Sequence, residues 1–224
     1  MPVQPKAAVR ITAFRWVPGF ARGQVRDLRV RWALEEAGIP YCVRKLDALH
    51  ERPADYFAEQ PWGQVPSYRD ESVRLFESGA IVLHVGEKSE AILPRGAEER
   101  ARATAWLIAA LNSVEPPLMQ LALVDLFWKG EPWARDARPK IVELAGKRLD
   151  RLADWLGDKE WLEDRFTAGD LLMVSVLRGL DHTDLVARRP NLAAYKARGE
   201  ARPAFQAALA AQLADFEEKQ PSAA

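Results

Sequence analysis

The stretch WGQVPSYRDESVRLFESGAI, residues 62–81, decides the fold of this chain. Two short alternating runs, VPSYR and VRLF, are separated by DES and predict an antiparallel β-hairpin. A proline at the start of a strand cannot donate to the ladder, and a cis Val65-Pro66 bond there would turn the backbone of Val65 outward. Glu77 and Ser78 follow the hairpin, where the next helix is expected to begin.

The two ends of this hairpin predict a site for a zwitterionic amino-acid group. The N–H and C=O of Val65 would pair with a peptide-like ligand, Ser78 and the first N–H groups of the helix would bind a carboxylate, and Glu77 would hold an ammonium. A structural interpretation is also open: Pro66 is a loop proline, Ser78 an N-cap and Glu77 a solvated acid near a helix N-terminus. Spacing alone favours the structural interpretation.

The pattern around this stretch changes near residue 90. Before it, VRITAFRW and YCVRKLD predict strands at about residues 9–16 and 40–46, and the helix VRDLRVRWALEEAG between them, stopped by Gly38, makes them a parallel pair. After the polar linker EAILPRGAEER every periodic segment is helical. These helices are expected at roughly residues 97–128 with an interruption at Pro116-Pro117, then 139–156, 170–180, 190–198 and 203–216. Thr167 and Asp170 predict a capping box.

Composition limits the classes of function. The chain has 224 residues, 48% hydrophobic and 29% charged, which is typical of a soluble globular protein. Its 32 basic and 32 acidic residues balance, so net charge gives no reason to expect nucleic acid or an anionic membrane as a partner. Cys42 cannot form an internal disulfide, and with His50, His84 and His182 it offers no metal-ligand spacing. With neither a leader nor an apolar run near the roughly 20 residues of a membrane span, a cytoplasmic protein without metal is expected.

Four ordered segments carry a resemblance to a known family. GQVPSYRDESVRLFESGAI resembles the glutathione-binding segment of the glutathione S-transferase family, bacterial members included, without indicating a class. VRWALEEAGIPY resembles the family's first helix and second strand, FTAGDLLMVSVL a capping segment, and RPNLAAYKARGEARPAFQAAL the terminal helices. The resemblance implies a thioredoxin-like α/β domain over residues 8–89, which binds glutathione, and an all-α domain over residues 97–217.

The same resemblance implies how glutathione is bound. The backbone of Val65, ahead of the cis-proline Pro66, would pair with the cysteinyl part, Glu77 and Ser78 would hold the γ-glutamyl end, and Gln64 would approach the glycyl carboxylate.

The glycyl carboxylate also needs a cation between residues 44 and 52. Arg44, Lys45, His50 and Arg52 are available there, and Arg52 is preferred because it falls in the loop where the family keeps its lysine or arginine. A solvated surface charge remains an alternative for each of them.

The family pattern breaks in the first loop, FRWVPGFARGQVRDLR. Residues 14–34 contain no Tyr, Ser or Cys, the residue types whose hydroxyl or thiol the family places near the glutathione sulfur. A thiol has a pKa of about 8.5, so a positive potential is needed to form a thiolate. The available sources are the N-terminus of the helix starting near Val25, the amide of Gln24, and the guanidinium of Arg22 or Arg15. Arg22 and Gln24 are therefore the catalytic candidates, with a tyrosine from elsewhere, Tyr56 or Tyr68, as the alternative.

The resemblance implies a glutathione transferase that stabilises the glutathione thiolate and transfers it to an apolar electrophile. The second-substrate pocket is expected between the domains, with Trp16, Phe20 and Trp106 in its wall. Because the loop lacks a hydroxyl, two alternatives stay open: a glutathione-dependent peroxidase or reductase, and a non-catalytic module that binds glutathione or a partner. A two-fold homodimer is also implied.

Overall fold

The structure is a computed structural model that describes residues 3–218. These residues form two compact units, one made of residues 3–93 and 202–218 and the other of Pro94–Ala201. The first unit is the thioredoxin-like domain with a four-stranded sheet, and the second is helical, as the sequence predicts.

The sheet of the first unit has the strand order β2-β1-β3-β4. Its strands are β1 (Val9–Phe14), β2 (Tyr41–Leu46), β3 (Ser67–Arg69) and β4 (Arg74–Phe76). β1 and β2 run parallel, with Val9 opposite Tyr41, and β3 and β4 form an antiparallel hairpin in which Ser67 is opposite Phe76. The predictions of a parallel pair and a hairpin are thereby confirmed. The helices of this part are α1 (Asp27–Ala37), α2 (Ala54–Phe57) and α3 (Ser78–Glu87).

Helix α1 begins two residues later than the sequence suggested, at Asp27. Its apolar residues Leu28, Trp32 and Leu34 are buried, as expected from their helical spacing. The helix ends at Gly38, whose φ of 66° lies in the left-handed region that glycine adopts without strain.

The second unit contains α4 (Ala97–Ala109), α5 (Glu115–Ala122), α6 (Pro132–Leu156), α7 (Ala168–Arg178) and α8 (Pro190–Glu200). The interruption predicted at Pro116-Pro117 takes the form of a π-helical turn, Ala110–Val114, followed by the two prolines in the first turn of α5. Prolines are tolerated there because first-turn N–H groups have no partner within the helix. A second π-helical turn, Leu123–Phe127, follows α5.

Proline misled the prediction for α6. Its start was expected at Pro139, but the helix begins at Pro132 and passes through Pro139. Pro132 occupies the first position of the helix, which is the position that proline favours. Pro139 lies on the exposed surface of the helix, and it removes one backbone hydrogen bond there.

The predicted capping box is confirmed at the start of α7. Thr167 Oγ1 accepts a hydrogen bond from Gly169 N at 3.2 Å, and Asp170 Oδ2 accepts one from Thr167 N at 2.9 Å. Both residues are buried and fix the local path of the chain, which is the structural role expected of them.

The last helix, α9 (Pro203–Asp215), packs within the first unit, whereas the second domain was expected to run through residue 217. Phe205 packs edge-on against Trp32, with ring centroids 4.9 Å apart. Arg202 donates two hydrogen bonds to the Glu36 carboxylate, at 2.6 and 2.8 Å. These contacts join α9 to α1, and the helical unit therefore ends at Ala201.

One helical stretch, Ala97–Phe127, is long and apolar enough to cross a membrane by length and composition alone. No apolar run of this length was expected from the sequence. The stretch is this long because two π-helical turns continue α4 and α5 as one helical path. Within its unit α4 packs against α7, and 44% of the apolar window is buried.

Candidate glutathione site

The corner between β4 and α3 places Glu77 and Ser78 at a helix N-terminus. Glu77 has φ 67° and ψ 115°, and among residues 3–218 it is the one non-glycine residue with positive φ. Such a conformation costs about 1–3 kcal/mol and is found preferentially at functional sites. Glu77 is also the N-cap and makes no side-chain cap hydrogen bond. The structural interpretation of Ser78 as the N-cap is therefore wrong: Ser78 is the first helical residue.

Ser78 is buried beside a residue that the sequence analysis missed. Its side chain accepts a 3.4 Å hydrogen bond from Nη1 of Arg29, a buried arginine of α1. A guanidinium next to the first turn of α3 adds a fixed positive charge where a carboxylate is expected to bind. The sequence contained a signal for Arg29, because LRVRW places two arginines inside an apolar helical pattern.

The loop before β3 presents the backbone of Val65. The Val65-Pro66 peptide bond is cis, which confirms the prediction. The carbonyl of Gln64 accepts a hydrogen bond from Tyr56 Oη at 2.5 Å, and the carbonyl of Gly63 accepts one from Arg52 Nε at 3.0 Å. In the described part of the chain, neither backbone group of Val65 takes part in a hydrogen bond. Both groups remain for a peptide-like ligand, and Gln64 has an exposed side chain.

Arg52 does not present a free guanidinium, in contrast to its expected role at the glycyl carboxylate. Besides Gly63, it donates to the carbonyls of Asp47 and His50, and it lies over the ring of Phe14, 4.9 Å from the centroid. These bonds anchor the loop formed by residues 47–52. Arg52 differs from its expected role because an arginine side chain donates to backbone carbonyls when the loop around it places them within reach.

The other cations considered for the glycyl carboxylate are also partnered. Arg44 pairs with Asp55 and Glu59, and Lys45 pairs with Asp215. His50 contacts Asp47 through Nδ1 at 3.0 Å, and its side chain is 38% exposed. Hydrogen bonds from the Leu49 N–H and from His50 hold the pKa of the Asp47 carboxyl well below its usual range. His50 is thus an accessible ring beside a carboxylate that stays ionised.

The loop from residue 15 to residue 26, here called the β1–α1 loop, adjoins these groups. Val25 and Phe14 pack against a buried cluster that contains Val65 and Tyr56. Gln24 is exposed in this loop. The side chain of Arg22 donates to the carbonyl of Glu217 at 2.9 Å, so the guanidinium proposed for the sulfur is bound to the chain after α9.

Neither alternative tyrosine has a free hydroxyl. Tyr56 Oη bonds to the Gln64 carbonyl and to Thr12 Oγ1, at 2.5 and 2.9 Å. Tyr68 Oη donates to Asp70 at 2.9 Å. Burial raises the pKa of both phenols above its ordinary value. Their positions support the sheet and the loop, and neither supplies the missing hydroxyl.

The aromatic residues expected around the second substrate lie in different parts of the chain. Trp16 is half-buried and Phe20 exposed, both in the β1–α1 loop. Trp106 belongs to α4, where Nε1 donates to Glu163 at 2.7 Å and the ring packs against Trp155 at 5.3 Å. The second-substrate pocket stays a prediction. Among residues 3–218, no group of three or more His, Cys, Asp or Glu side chains is placed to hold a metal.

Comparison with known proteins matches this architecture to one family. The model of the glutathione S-transferase N-terminal domain matches residues 20–87. Glutathione S-transferase 3 of Zea mays is 32% identical over 199 residues, covering 82% of this chain and 88% of that protein. The chain belongs to the glutathione S-transferase family.

Solved glutathione transferases share the fold. The crystal structure of glutathione transferase F2 from Populus trichocarpa aligns with a TM-score of 0.80 and 26% identity, covering 92% of this chain and 99% of that one. A glutathione transferase from Burkholderia graminis, with two glutathione molecules bound per subunit, aligns with a TM-score of 0.79, 23% identity and coverage of 91% and 88%. The second likeness shows the fold alone. Within this family, the present chain combines an intact Glu77-Ser78 corner with a β1–α1 loop that lacks Tyr, Ser and Cys.

Proposed function

We propose that the protein binds glutathione in its first unit, stabilises the thiolate and transfers the sulfur to an electrophilic, apolar small molecule. One observation carries the proposal. The unpaired backbone of Val65 and the strained Glu77-Ser78 corner both adjoin the start of α1, through Val25 and Arg29 respectively. These are the groups that a γ-glutamyl-cysteinyl peptide requires: a strand-like edge, an acid for its ammonium and a cationic helix terminus for its carboxylate.

In this proposal each residue has a distinct role. Val65 pairs with the cysteinyl peptide group, Glu77 holds the ammonium, and Ser78 with the α3 N–H groups holds the α-carboxylate. Gln64 approaches the glycyl carboxylate. His50 replaces Arg52 there as a hydrogen-bond donor, because its ring is accessible.

The chemical step needs no external oxidant or reductant. The glutathione thiol gives its proton to solvent, the thiolate attacks the electrophilic carbon, and the leaving group departs with its electron pair as the carbon–sulfur bond forms. The protein supplies positive potential at the sulfur from the N-terminus of α1, with Gln24 at the exposed edge of that turn. A loss of one preorganised donor to such an anion typically reduces the rate about a hundredfold or more.

The decisive experiment measures glutathione affinity by calorimetry in the double variant Glu77→Ala with Ser78→Ala. Loss of two charge-assisted contacts should cost roughly 3 kcal/mol or more, which is about a hundredfold in Kd. The chain offers a matched control, because the β3–β4 turn contains a second Glu-Ser pair, Glu71 and Ser72, which is exposed. Substituting that pair with alanine should leave affinity within about twofold of wild type. Equal affinity in both double variants would reject the site.

A non-catalytic glutathione-binding module is the second candidate. It is favoured by the loop itself, which has no side-chain hydroxyl or thiol and whose Arg22 is bound to Glu217. A titration of thiolate absorbance in bound glutathione separates the two candidates, because a module without chemistry has no reason to lower the thiol pKa. Activity towards activated aryl halides supports transfer, whereas activity towards hydroperoxides alone supports a peroxidase.

We also propose a cytoplasmic two-fold homodimer, since closed two-fold dimers are the commonest oligomers. Sedimentation equilibrium should give twice the mass of one chain. A mass equal to that of one chain at every concentration tested would contradict the dimer.

A further inference from the structure

The chain after α9 is bonded to the β1–α1 loop at Arg15 and at Arg22. Glu217 N donates to the carbonyl of Arg15 at 2.8 Å, at the start of the loop. Its own carbonyl accepts the 2.9 Å hydrogen bond from Arg22, whose guanidinium also lies 5.7 Å from the ring centroid of Phe216. Arg22 and Glu217, which are 195 positions apart in sequence, are thus joined by a hydrogen bond from a side chain to a backbone carbonyl.

Gln212 of α9 holds the far end of the loop, where α1 begins. Its Nε2 donates to the carbonyl of Val25 at 3.1 Å and to Asp27 Oδ1 at 2.7 Å. Gln212 is 1% exposed, and its Oε1 has no partner in the described part of the chain. Because both neighbours are acceptors, the amide must turn its nitrogen towards them. Leaving Oε1 of a buried amide without a partner costs free energy, and Gln212 accepts this cost while Nε2 bonds to Val25 and Asp27. These two bonds fix the first turn of α1.

Buried charges fix α9 itself at this place. Arg31, fully buried in α1, pairs with Asp27 at 2.8 Å and with Asp215 at 2.6 Å. Lys45 of β2 also reaches Asp215, at 3.0 Å. The last turn of α9 is therefore attached to both α1 and the sheet, and Gln212 and the residues that follow cannot shift without breaking the ion pair between the buried Arg31 and Asp215.

The backbone geometry of the β1–α1 loop matters because none of its side chains carries a hydroxyl or thiol that could stabilise the glutathione sulfur. In residues 14–34 there is no Tyr, Ser or Cys, so a thiolate next to Val65 would be stabilised by backbone N–H groups at the start of α1. The direction of those N–H groups depends on the peptide planes that Gln212 and Asp27 hold. Electrostatic stabilisation of an anion depends on donors that are already oriented before it forms.

We propose that residues 212–217, here called the C-terminal brace, are a positioning element of the thiolate site, with Gln212 as its principal positioning residue. The proposal rests on the proposed function, since it concerns the sulfur of bound glutathione. The brace touches the loop from the side of α9 and acts on the sulfur only through the backbone of the loop and of α1.

Two changes test the brace without altering the groups assigned to glutathione. Gln212→Glu keeps the size of the side chain and, when ionised, removes the donor. Ending the chain after Asp215 removes Phe216 and Glu217 and leaves the Gln212 and Arg31 contacts in place. Ending it after Glu218 is the matched control, because every contact of the brace within residues 3–218 is kept.

The readouts are the thiol pKa of bound glutathione, by thiolate absorbance, together with Kd and the conjugation rate. Gln212→Glu should raise that pKa by about one unit, which reduces both thiolate at neutral pH and kcat about tenfold. Chain termination after Asp215 should shift the pKa in the same direction by about half as much. In both variants Kd should change less than about twofold, because Val65, Glu77 and Ser78 are intact.

The outcomes separate the brace from the function. If wild type binds glutathione and lowers its thiol pKa while both variants titrate like the control, the brace is wrong and the function stands. A wild type that neither binds nor ionises glutathione overturns both. If circular dichroism shows that Gln212→Glu does not fold, the chain ended after Asp215 decides: a raised thiol pKa supports the brace and an unchanged one rejects it.

Discussion

Two aspartates, the half-buried Asp70 in the first unit and the buried Asp170 in the second, each accept several hydrogen bonds, yet their pKa values move in opposite directions. Asp70 stands in the β3–β4 turn and bonds both to that turn and to α3. Its partners are Tyr68 at 2.9 Å, His84 at 3.1 Å, Ser72 N at 2.8 Å, Val73 N at 2.9 Å and the ammonium of Lys88. Burial acts to raise the pKa of Asp70, but the bonds from Lys88 and His84 outweigh it, and the pKa lies well below its usual range.

Asp170 has comparable hydrogen bonds, and within residues 3–218 none of its partners is a cation. Its carboxylate accepts from Leu162 N at 2.9 Å, Thr167 N at 2.9 Å and Tyr195 Oη at 2.9 Å. Burial raises the pKa of Asp170, and these neutral donors offset that effect only in part. Neutral hydrogen bonds thus orient a carboxylate without lowering its pKa below the ordinary value. A partly exposed cation such as Lys88 is what stabilises the ionised form.

The largest effect is expected for Asp170→Ala. The substitution leaves the buried donors of Leu162, Thr167 and Tyr195 without an acceptor, and each such group costs about 1–3 kcal/mol. The free energy of unfolding at neutral pH should fall by about 4 kcal/mol. Urea denaturation measures it, and a loss below about 1 kcal/mol would show that water replaces the carboxylate.

A smaller loss is expected for Asp70→Asn. Asparagine keeps an oxygen for the N–H groups of Ser72 and Val73 but loses the charge that Lys88 and His84 face, and Lys88 is partly exposed. The free energy of unfolding should fall by about 1–2 kcal/mol. The same denaturation experiment in high salt should reduce the difference, since salt screens the part of the interaction that is exposed.

The pH dependence of two asparagine variants should have opposite signs. The folded pKa of Asp70 is depressed, so its contribution is present above the unfolded pKa of about 3.9 and is lost as pH falls towards the folded value. The folded pKa of Asp170 is raised, so its contribution is greatest below about 3.9 and is lost as pH rises through the folded value.

Denaturation at about pH 4.5 and pH 7 measures this contrast. The cost of Asp170→Asn should be greater at about pH 4.5 than at about pH 7, whereas that of Asp70→Asn should stay nearly constant between them and decrease when the pH is lowered further to about 2.5. The same sign for both aspartates would contradict the comparison.

The smallest effects concern the two tyrosines, which donate to their carboxylates at the same distance of 2.9 Å. Tyr195→Phe should cost about 1 kcal/mol, because Tyr195 is fully buried and its acceptor has no cation. Tyr68→Phe should cost about 0.5 kcal/mol, since Asp70 keeps its ion pair with Lys88. Thermal unfolding of the two variants side by side provides the measurement, and an equal loss would weaken the distinction.

Some features of this protein could be predicted from the sequence because they depend on neighbouring residues. Gly38 ends α1, DES separates two strands that pair, and Thr167 and Asp170 form a capping box. In each case the interacting groups lie within a few positions of one another. Backbone preferences and short-range hydrogen bonds then suffice to determine the local structure.

The prolines show where local preference is insufficient. Pro139 was expected to start α6, yet the helix begins at Pro132 and continues through Pro139. A proline predicts that one hydrogen bond is missing, and whether the helix breaks there depends on the packing of its other face.

The composition of the candidate site was visible in the sequence, but the role of several residues was decided by tertiary contacts. Arg52 is turned to backbone carbonyls of its own loop, Arg22 donates to Glu217, and Arg29 reaches Ser78. The last two pairs are 195 and 49 residues apart. A guanidinium binds whichever acceptors the fold brings within about 3 Å, and the sequence does not specify those acceptors.

The sequence by itself determined the order of strands and helices along the chain, which follows from periodicity, and the family and the Glu77-Ser78 corner, which follow from the resemblance of its segments to a known family. Only the tertiary structure decided that α9 belongs to the first unit, and that Gln212 bonds to Val25. Helical periodicity shows that α9 has an apolar face without showing which partner covers it. The choice depends on the fit of Phe205 against Trp32 and on the pairing of Arg31 with Asp215, and both are contacts between residues far apart in the chain.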